Sequence, residues 1–261
     1  YTFREEDPRD HFFTATINQN GNQIINIKAP NNTSKNITYS KSPTPSIYTI
    51  NNLGTITNQQ IGDCVANAFS YCISSQTYNT FFISRSYIYT ICRLLQNFAL
   101  RSDPGTTNKM MCNAILNYGA IRESDFPYTS ANLFILPSLN ILKGGNYFQK
   151  FTYTFITQDL NSVKACLTIY NTPILFGFYI YNSFLTRAVA TTGNIPYPGP
   201  RDRRLGGHCM NIVGYNDSRQ AFLCANSWGN GWGINGYCWF PYRYLLNRNI
   251  AGDLLFTQFI Y

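Results

Sequence analysis

Between residues 62 and 75, Val65, Ala68, Phe69 and Cys72 recur at i, i+3, i+4 and i+7, which predicts a helix over Gly62–Ser75 with one apolar face. A second helix is expected over Ser84–Gln96 (SRSYIYTICRLLQ), with Ser84 as its cap. A third runs from Thr107 to Tyr118, after the turn Asp103-Pro104-Gly105 and before Gly119, a suitable C-terminal glycine. Beyond residue 146 the period changes. NYFQKFTYTFI, PILFGFYIY, HCMNIVGYN, AFLCANSW and GYCWFPY have strand length and aromatic or β-branched bias, and a helix over Leu160–Tyr170 precedes the second of them. A helical half followed by a strand-rich half predicts an α+β chain of two lobes, with the cleft between them a natural place for a site.

Residues 1–50 read differently. They are rich in Asn, Thr and Ser and end in the breakers Pro43 and Pro45. Only QIINIKA (23–29) alternates enough for a strand, in a hairpin turning near Asn20-Gly21. Glycosylation-type sequons at Asn31, Asn32 and Asn36 suggest an exposed loop. Residues 1–10 are not a signal peptide, and a targeting segment removed earlier would leave the same start. The compartment stays open between a lysosome-like or secreted location and packaging in a viral particle.

Composition narrows the classes. Of 261 residues 44% are hydrophobic, 16% aromatic and only 12% charged, which is the make-up of a packed domain and not of a disordered chain. The net charge of +8 is scattered, apart from a short cluster at Arg201, Arg203 and Arg204, and no basic stripe or nucleic-acid motif accompanies it. No nucleic-acid partner is therefore expected. The apolar run PILFGFYI is far short of a bilayer span. Eight cysteines with no C-x-x-C pair, and only two histidines, argue against a structural zinc site. No metal or cofactor is expected, and the thiols are expected to be mostly reduced, with room for one or two disulfides.

The chemistry concentrates around Cys64. It follows Gly62-Asp63 at the first turn of a helix, where unpaired backbone N–H groups and the helix dipole favour the nucleophilic thiolate. Cys72, eight residues on, reads as core packing. A cysteine nucleophile needs a base, and the candidates are His11 and His208. His11 lies between polar sequence and two phenylalanines and reads as a packing or surface residue. His208 opens the strand HCMNIVGY after a glycine pair. Downstream, ANSWGNGWG supplies Asn226 to orient an imidazole and Trp228 to shield that bond from water. Gln59 and Gln60 stand beside the nucleophile.

Taken together, QQIGDCVANAF, GGHCMNIVGYN and ANSWGNGWGINGYCWFPY resemble the papain family of cysteine proteases, which includes the cathepsins. SRSYIYTICR is similar to the family's second helix, GAIRESDFPY to its linker between lobes, and PILFGFYIYNSF to the strand and loop before the histidine. The resemblance spans about residues 52–261, in the order Cys, His, Asn. His208 lies within the family's spacing of roughly 130–150 residues from the cysteine, and Asn226 a little beyond it. In style the chain is similar to bacterial and viral members, with no Trp after Cys64. The resemblance implies a papain-like two-lobe fold, with a helical lobe over 51–140, an antiparallel β-barrel-like lobe over 141–261, and the site in the cleft. It implies an endopeptidase acting on protein or peptide substrates. Cys64 attacks, His208 transfers protons, and Asn226 holds the imidazole. The Cys64 N–H and a glutamine side chain form the oxyanion hole. Gly105, Gly207, Cys209 and Trp228 are the implied substrate-binding positions.

Some positions depart from the family pattern. The usual glutamine place, six before the nucleophile, holds Asn58, so Gln59 serves if the loop is one residue shorter; Gln60 is nearer the thiol. Asp63 stands where a small residue is usual, and Ile61 replaces a cysteine, which removes one family disulfide. Residues 1–50 are either a pro-segment-like region that contacts the cleft and inhibits, as in a zymogen, or a permanent extension. A catalytically silent binding or structural protein on the same fold, and a transpeptidase using the same thioester, are the alternatives to hydrolysis.

Overall fold

The computed structural model describes residues 12–17, 23–28, 34–39, 44–144 and 151–259. The expected helices are present with small shifts at their starts. α1 (Cys64–Gln76) begins two residues later than the expected start at Gly62, because Gly62 and Asp63 form the bend that delivers it. α2 (Arg85–Leu95) is capped by Ser84, whose hydroxyl accepts from the Tyr87 N–H. α3 (Asn108–Tyr118) is capped in the same way by Thr107 and ends at Gly119, at φ 68°. A short α4 (Leu139–Gly144) follows.

The remaining elements build one sheet. Its strands are β1 (Phe12–Ile17), β2 (Gln23–Lys28), β3 (Ser34–Tyr39), β4 (Ile47–Thr49), β5 (Phe151–Ile156), β6 (Ile174–Tyr181), β7 (Arg204–Asn216), β8 (Ala221–Ala225), β9 (Tyr237–Pro241) and β10 (Ala251–Phe259). The order is β3-β2-β1-β5-β10-β6-β7-β8-β9, with β4 beside β7. α5 (Leu160–Tyr170), α6 (Arg187–Thr192) and α7 (Tyr242–Leu245) complete the chain. The sheet is mixed and not antiparallel throughout, since β1 runs parallel to β5 through Phe12↔Phe155 and Phe13↔Ile156.

That parallel pairing brings residues 12–17, and through them 23–28, into the sheet despite the polar composition of their segment. Phe13, Ala15 and Ile25 turn inward and are buried, and the Ala15 N–H donates to the Ser162 hydroxyl of α5 at 2.9 Å. The expected 23–29 strand is β2, paired antiparallel to β1 over Ile17↔Gln23 to Phe12↔Lys28. The turn near Asn20-Gly21, His11, the sequons at Asn31 and Asn32, and residues 1–10 lie outside the described residues, as does 145–150 of the expected strand 146–156.

Two clusters of buried side chains correspond to the two lobes. One gathers α1, α2 and α3 around Phe69, Ile88, Met111 and Ile115. The other lies on the sheet around Phe176, Phe178, Val213, Phe222 and Phe240. α1 runs between them, which is why it is buried on nearly every side. The apolar stripe read from the sequence packs in the helical lobe, and two of its members also bond to the sheet. Ala68 of α1 offers its carbonyl to the Asn211 amide of β7 at 3.0 Å. Cys72 meets the Thr257 hydroxyl of β10 at 3.2 Å. All eight cysteines are buried, and none is in a disulfide. Among the described residues no helix is long and apolar enough to cross a membrane.

Candidate active site

The first residue of α1 and the middle of β7 meet where the lobes join. Cys64, 3% exposed, starts the helix, so its N–H has no intrahelical carbonyl to bond. The backbone N–H groups of Cys209 and Val65 face its sulfur and favour the thiolate. Burial acts in the opposite sense and is the larger effect, pushing the thiol above its usual value. The Cys209 N–H thus ties the sulfur to the residue that follows His208.

His208 is held on three sides. Its strand register sets it opposite Phe178 of β6, whose ring meets the imidazole edge to face at 5.6 Å. Trp228 stacks on the imidazole at 5.0 Å and 29°, and is itself braced by Phe184 and Trp232. Nε2 lies 2.8 Å from Asn226 Oδ1. That oxygen also accepts the Ser227 N–H at 2.8 Å, so the amide cannot be reversed without losing both bonds. Oδ1 is an acceptor, hence Nε2 carries the proton and Nδ1 keeps its lone pair. Burial pulls His208 down to about 4, partly opposed by the Asn226 bond. Taken singly, thiol and imidazole both prefer neutrality; an ion pair forms only through their mutual attraction.

Asn226 stands just past the end of β8, where the expected strand 221–228 gives way. Its N–H donates to the Gly236 carbonyl at 2.9 Å. The chain then crosses residues 57–59 in an antiparallel fashion: Asn58 bridges Trp228, the Gln59 N–H donates to the Ser227 carbonyl at 2.8 Å, and the Gly229 N–H to the Thr57 carbonyl at 2.9 Å. Gln59 is therefore fastened to the Asn226–Trp228 segment. Its Oε1 accepts the Ser227 hydroxyl at 2.6 Å and its Nε2 donates to the Ile61 carbonyl at 3.0 Å, leaving the second Nε2 proton for another acceptor. Gln60 is exposed and contributes its backbone N–H to the Tyr128 hydroxyl at 2.9 Å.

The nucleophile loop has its own polar support. The Gly62 N–H donates to Asp103 Oδ2 at 2.7 Å. A Cβ at Gly62 would come within 2.9 Å of the same carboxylate, so a side chain here would displace Asp103 from its bond. Asp63 is fully buried. Its Oδ1 accepts from Asn67 Nδ2 at 3.0 Å. Burial raises its pKa to about 7, with the Tyr128 hydroxyl and Arg85 lowering it in part and Asp103 raising it. Arg85 cannot do more because its guanidinium is shared with Glu123 Oε1 at 2.7 Å and Asn67 Oδ1 at 3.0 Å.

The implied substrate positions fall around this centre. Gly207, half-buried, leads into His208 at the open end of β7. Cys209 is buried, with its thiol directed at Asn108 Oδ1 at 3.3 Å. Gly105, at φ 76°, is buried and already donates its N–H to the Tyr89 hydroxyl at 3.0 Å, so only its carbonyl is left to meet a peptide. Trp228 roofs the imidazole. Sequence reading missed Phe178 and Ser227. Phe178 is recognisable only once β6 and β7 are in register, whereas Ser227 could have been found as the neighbour of Asn226. Among the described residues no cluster of three or more His, Cys, Asp or Glu side chains could hold a metal ion.

Comparison with known proteins places the chain in a family. The profile described as Papain family cysteine protease matches residues 65–251. An uncharacterized peptidase C1-like protein of Acanthamoeba polyphaga mimivirus is 30% identical over 219 residues, which cover 79% of this chain and 70% of that one. Xylellain, a cysteine protease from Xylella fastidiosa, superposes with a TM-score of 0.77 at 27% identity, covering 84% of this chain and 87% of that one. A digestive procathepsin L from the larval midgut of Tenebrio molitor shares the fold at a TM-score of 0.63 and 18% identity, over 84% and 71% of the two chains. With the expected α+β two-lobe architecture in place and most of its length matched, the chain belongs to the papain family of cysteine proteases.

Proposed function

We propose that this chain is an endopeptidase in which Cys64 is the nucleophile, His208 the proton carrier, Asn226 the orienting amide and Gln59 an oxyanion donor. The observation that carries the reading is the His208 Nε2–Asn226 Oδ1 bond at 2.8 Å, roofed by Trp228. It leaves Nδ1 as the imidazole nitrogen free to take the thiol proton. The thiolate then attacks the scissile carbonyl carbon. The resulting oxyanion accepts from the Cys64 N–H and from the uncommitted Gln59 Nε2 proton, both fixed before the reaction. The imidazolium gives its proton to the amide nitrogen, the C–N bond breaks and the amine departs, leaving a thioester on Cys64. His208 next takes a proton from water as the oxygen attacks the thioester, and the proton returns to the departing thiolate.

An epoxysuccinyl inhibitor at slightly acid pH tests this: rapid, stoichiometric alkylation at Cys64, abolished in His208→Ala, is expected. Labelling spread over several cysteines supports the second reading instead, a silent papain-fold binding protein. The burial that pushes both Cys64 and His208 toward neutrality is the observation that favours it.

The strands of the N-terminal segment act as a permanent extension of the sheet lobe. A removable pro-segment should leave the mature core intact, yet Phe13 is 1% exposed within that core, a burial worth roughly 1.5–3 kcal/mol. Incubating the protein with protease at acid pH and sequencing the N-terminus of the active product is expected to return chains that still contain Phe13. An active product starting beyond residue 40 contradicts this.

A further inference from the structure

On the base side of the active site, two buried polar atoms lining one pocket lack a partner among the described residues: Asn226 Nδ2 and Asn211 Oδ1. Their orientation is fixed by the opposite ends of each amide. Asn226 Oδ1 is taken by His208 and Ser227, and Asn211 Nδ2 is taken by the Ala68 carbonyl. One is therefore a donor and the other an acceptor. Both residues line the same small pocket behind the imidazole, together with Thr57, Asn67, Ala68 and Tyr71, and it has room for about one water molecule. The Thr57 hydroxyl donates to Asn67 Oδ1 at 2.8 Å, which leaves its lone pairs to accept.

We propose that this pocket is a binding site for a single structural water, accepting from Asn226 Nδ2 and donating to Asn211 Oδ1 and to Thr57 Oγ1, and that Asn211 is thereby a positioning residue for His208. Buried amides left half satisfied are costly, and a site with two to four polar partners is where an internal water belongs. The consequence is mechanical. The Asn226 amide plane becomes fixed at both ends, on one side by the imidazole and on the other through the water to Asn211. Asn211 in turn is bonded to the helix that begins with Cys64. One hydrogen-bonded path then joins the nucleophile's helix to the orientation of the base, and it lies on the side of the imidazole away from substrate.

This inference rests on the reading of Asn226 as the orienting amide, and the test separates the two. A high-resolution crystal structure of the unaltered protein is expected to show a water within about 3.2 Å of both Asn226 Nδ2 and Asn211 Oδ1; a dry pocket overturns the proposal whatever the variants do. In kinetics, Asn211→Leu is expected to lower kcat/KM about tenfold and to narrow the pH–rate bell from both sides by about half a unit each, the tenfold matching one unit of pairing lost. Enzyme concentration is taken from epoxysuccinyl titration, so that misfolded protein is not counted. Asn211→Gln, which keeps both an amide donor for the Ala68 carbonyl and an acceptor toward the water, is expected to restore part of the width. If Asn226→Ala narrows the bell and Asn211→Leu does not, the water-linked role is wrong while the orienting role of Asn226 stands. If Asn226→Ala leaves the bell unchanged, the underlying reading of Asn226 is the one that fails.

Discussion

The two halves of the active site are built by different means. The base half, His208 with Asn226 and Trp228, is held by sheet register and aromatic packing: β7 lies between β6 and β8, and the imidazole is enclosed by Phe178 and Trp228. The nucleophile half, residues 57–64, has little regular structure before α1. It is held by a short antiparallel crossing with residues 227–229 and by hydrogen bonds to Tyr128 and Asp103, and contains a buried acid beside Cys64. The half that matches the family motifs is rigid through packing, while the half that departs from them is rigid through polar contacts. Packing averages over many weak contacts, so the base half should tolerate conservative change. A polar lattice depends on each partner, so the nucleophile half should be sensitive to single deletions.

The largest expected effect concerns the glutamines. Gln59→Ala removes the side chain that Ser227 and Ile61 hold in place and should lower kcat on the order of 100-fold, with KM little changed. Gln60→Ala should stay within about twofold, since the exposed Gln60 contributes only its backbone N–H to Tyr128. Steady-state kinetics on one peptide substrate decides, and the reverse ranking would show that the oxyanion donor has been assigned to the wrong neighbour. A smaller effect is expected on the base half. Trp228→Ala exposes the His208–Asn226 bond to water, which weakens it, and should lower the alkaline limb of the pH–rate profile by about one unit. An unmoved limb would mean that Phe178 and strand register alone hold the imidazole.

How much of this was legible in the sequence follows the same division. The helices α1 to α3 and the strands β6 to β9 were readable because apolar period and capping residues agree, as at Ser84 and Thr107. The trio Cys64, His208 and Asn226 could be proposed because its flanking motifs are local in sequence. β1, β3, β4 and β10 were not recognised. In β1 the threonines conceal an alternation whose buried members, Phe13 and Ala15, have value only once β5 is beside them, and the polar sequence SKNITY of β3 offers no apolar period to read. β10 is interrupted by a register shift between Gly252 and Leu255, with Asp253 at φ 51°, which breaks the period a sequence reading looks for. Ser227 as the anchor of Gln59, and Asn211 as the partner of Ala68, are contacts between distant segments, and no single-sequence pattern encodes them.

A small effect on turnover, and the one that most sharpens the contrast, belongs to Asp63. Its carboxyl titrates at about 7 in the folded chain, against 3.8 as its ordinary value, because burial outweighs the help of Tyr128 and of an Arg85 already committed to Glu123. Asp103 adds repulsion from the same side. Between those two values the folded protein holds a proton that the unfolded chain has lost. The stabilisation from neutral Asp63 is therefore complete below about pH 4, declines as pH rises, and is gone above about 7. Asp63→Asn, which keeps an oxygen for Asn67, should match the parent at pH 4 and melt a few degrees higher at pH 8. Turnover should change by no more than about threefold, but the sign is informative. An ionised Asp63 raises the Cys64 thiol, so the variant should be alkylated faster above pH 7 and at an unchanged rate at pH 5. Thermal melts and alkylation rates across that range measure both. A parent whose stability rises from pH 4 to 8 relative to Asp63→Asn would mean that the buried carboxylate is stabilised after all, and that the nucleophile half carries a compensating cation interaction stronger than the one Arg85 provides.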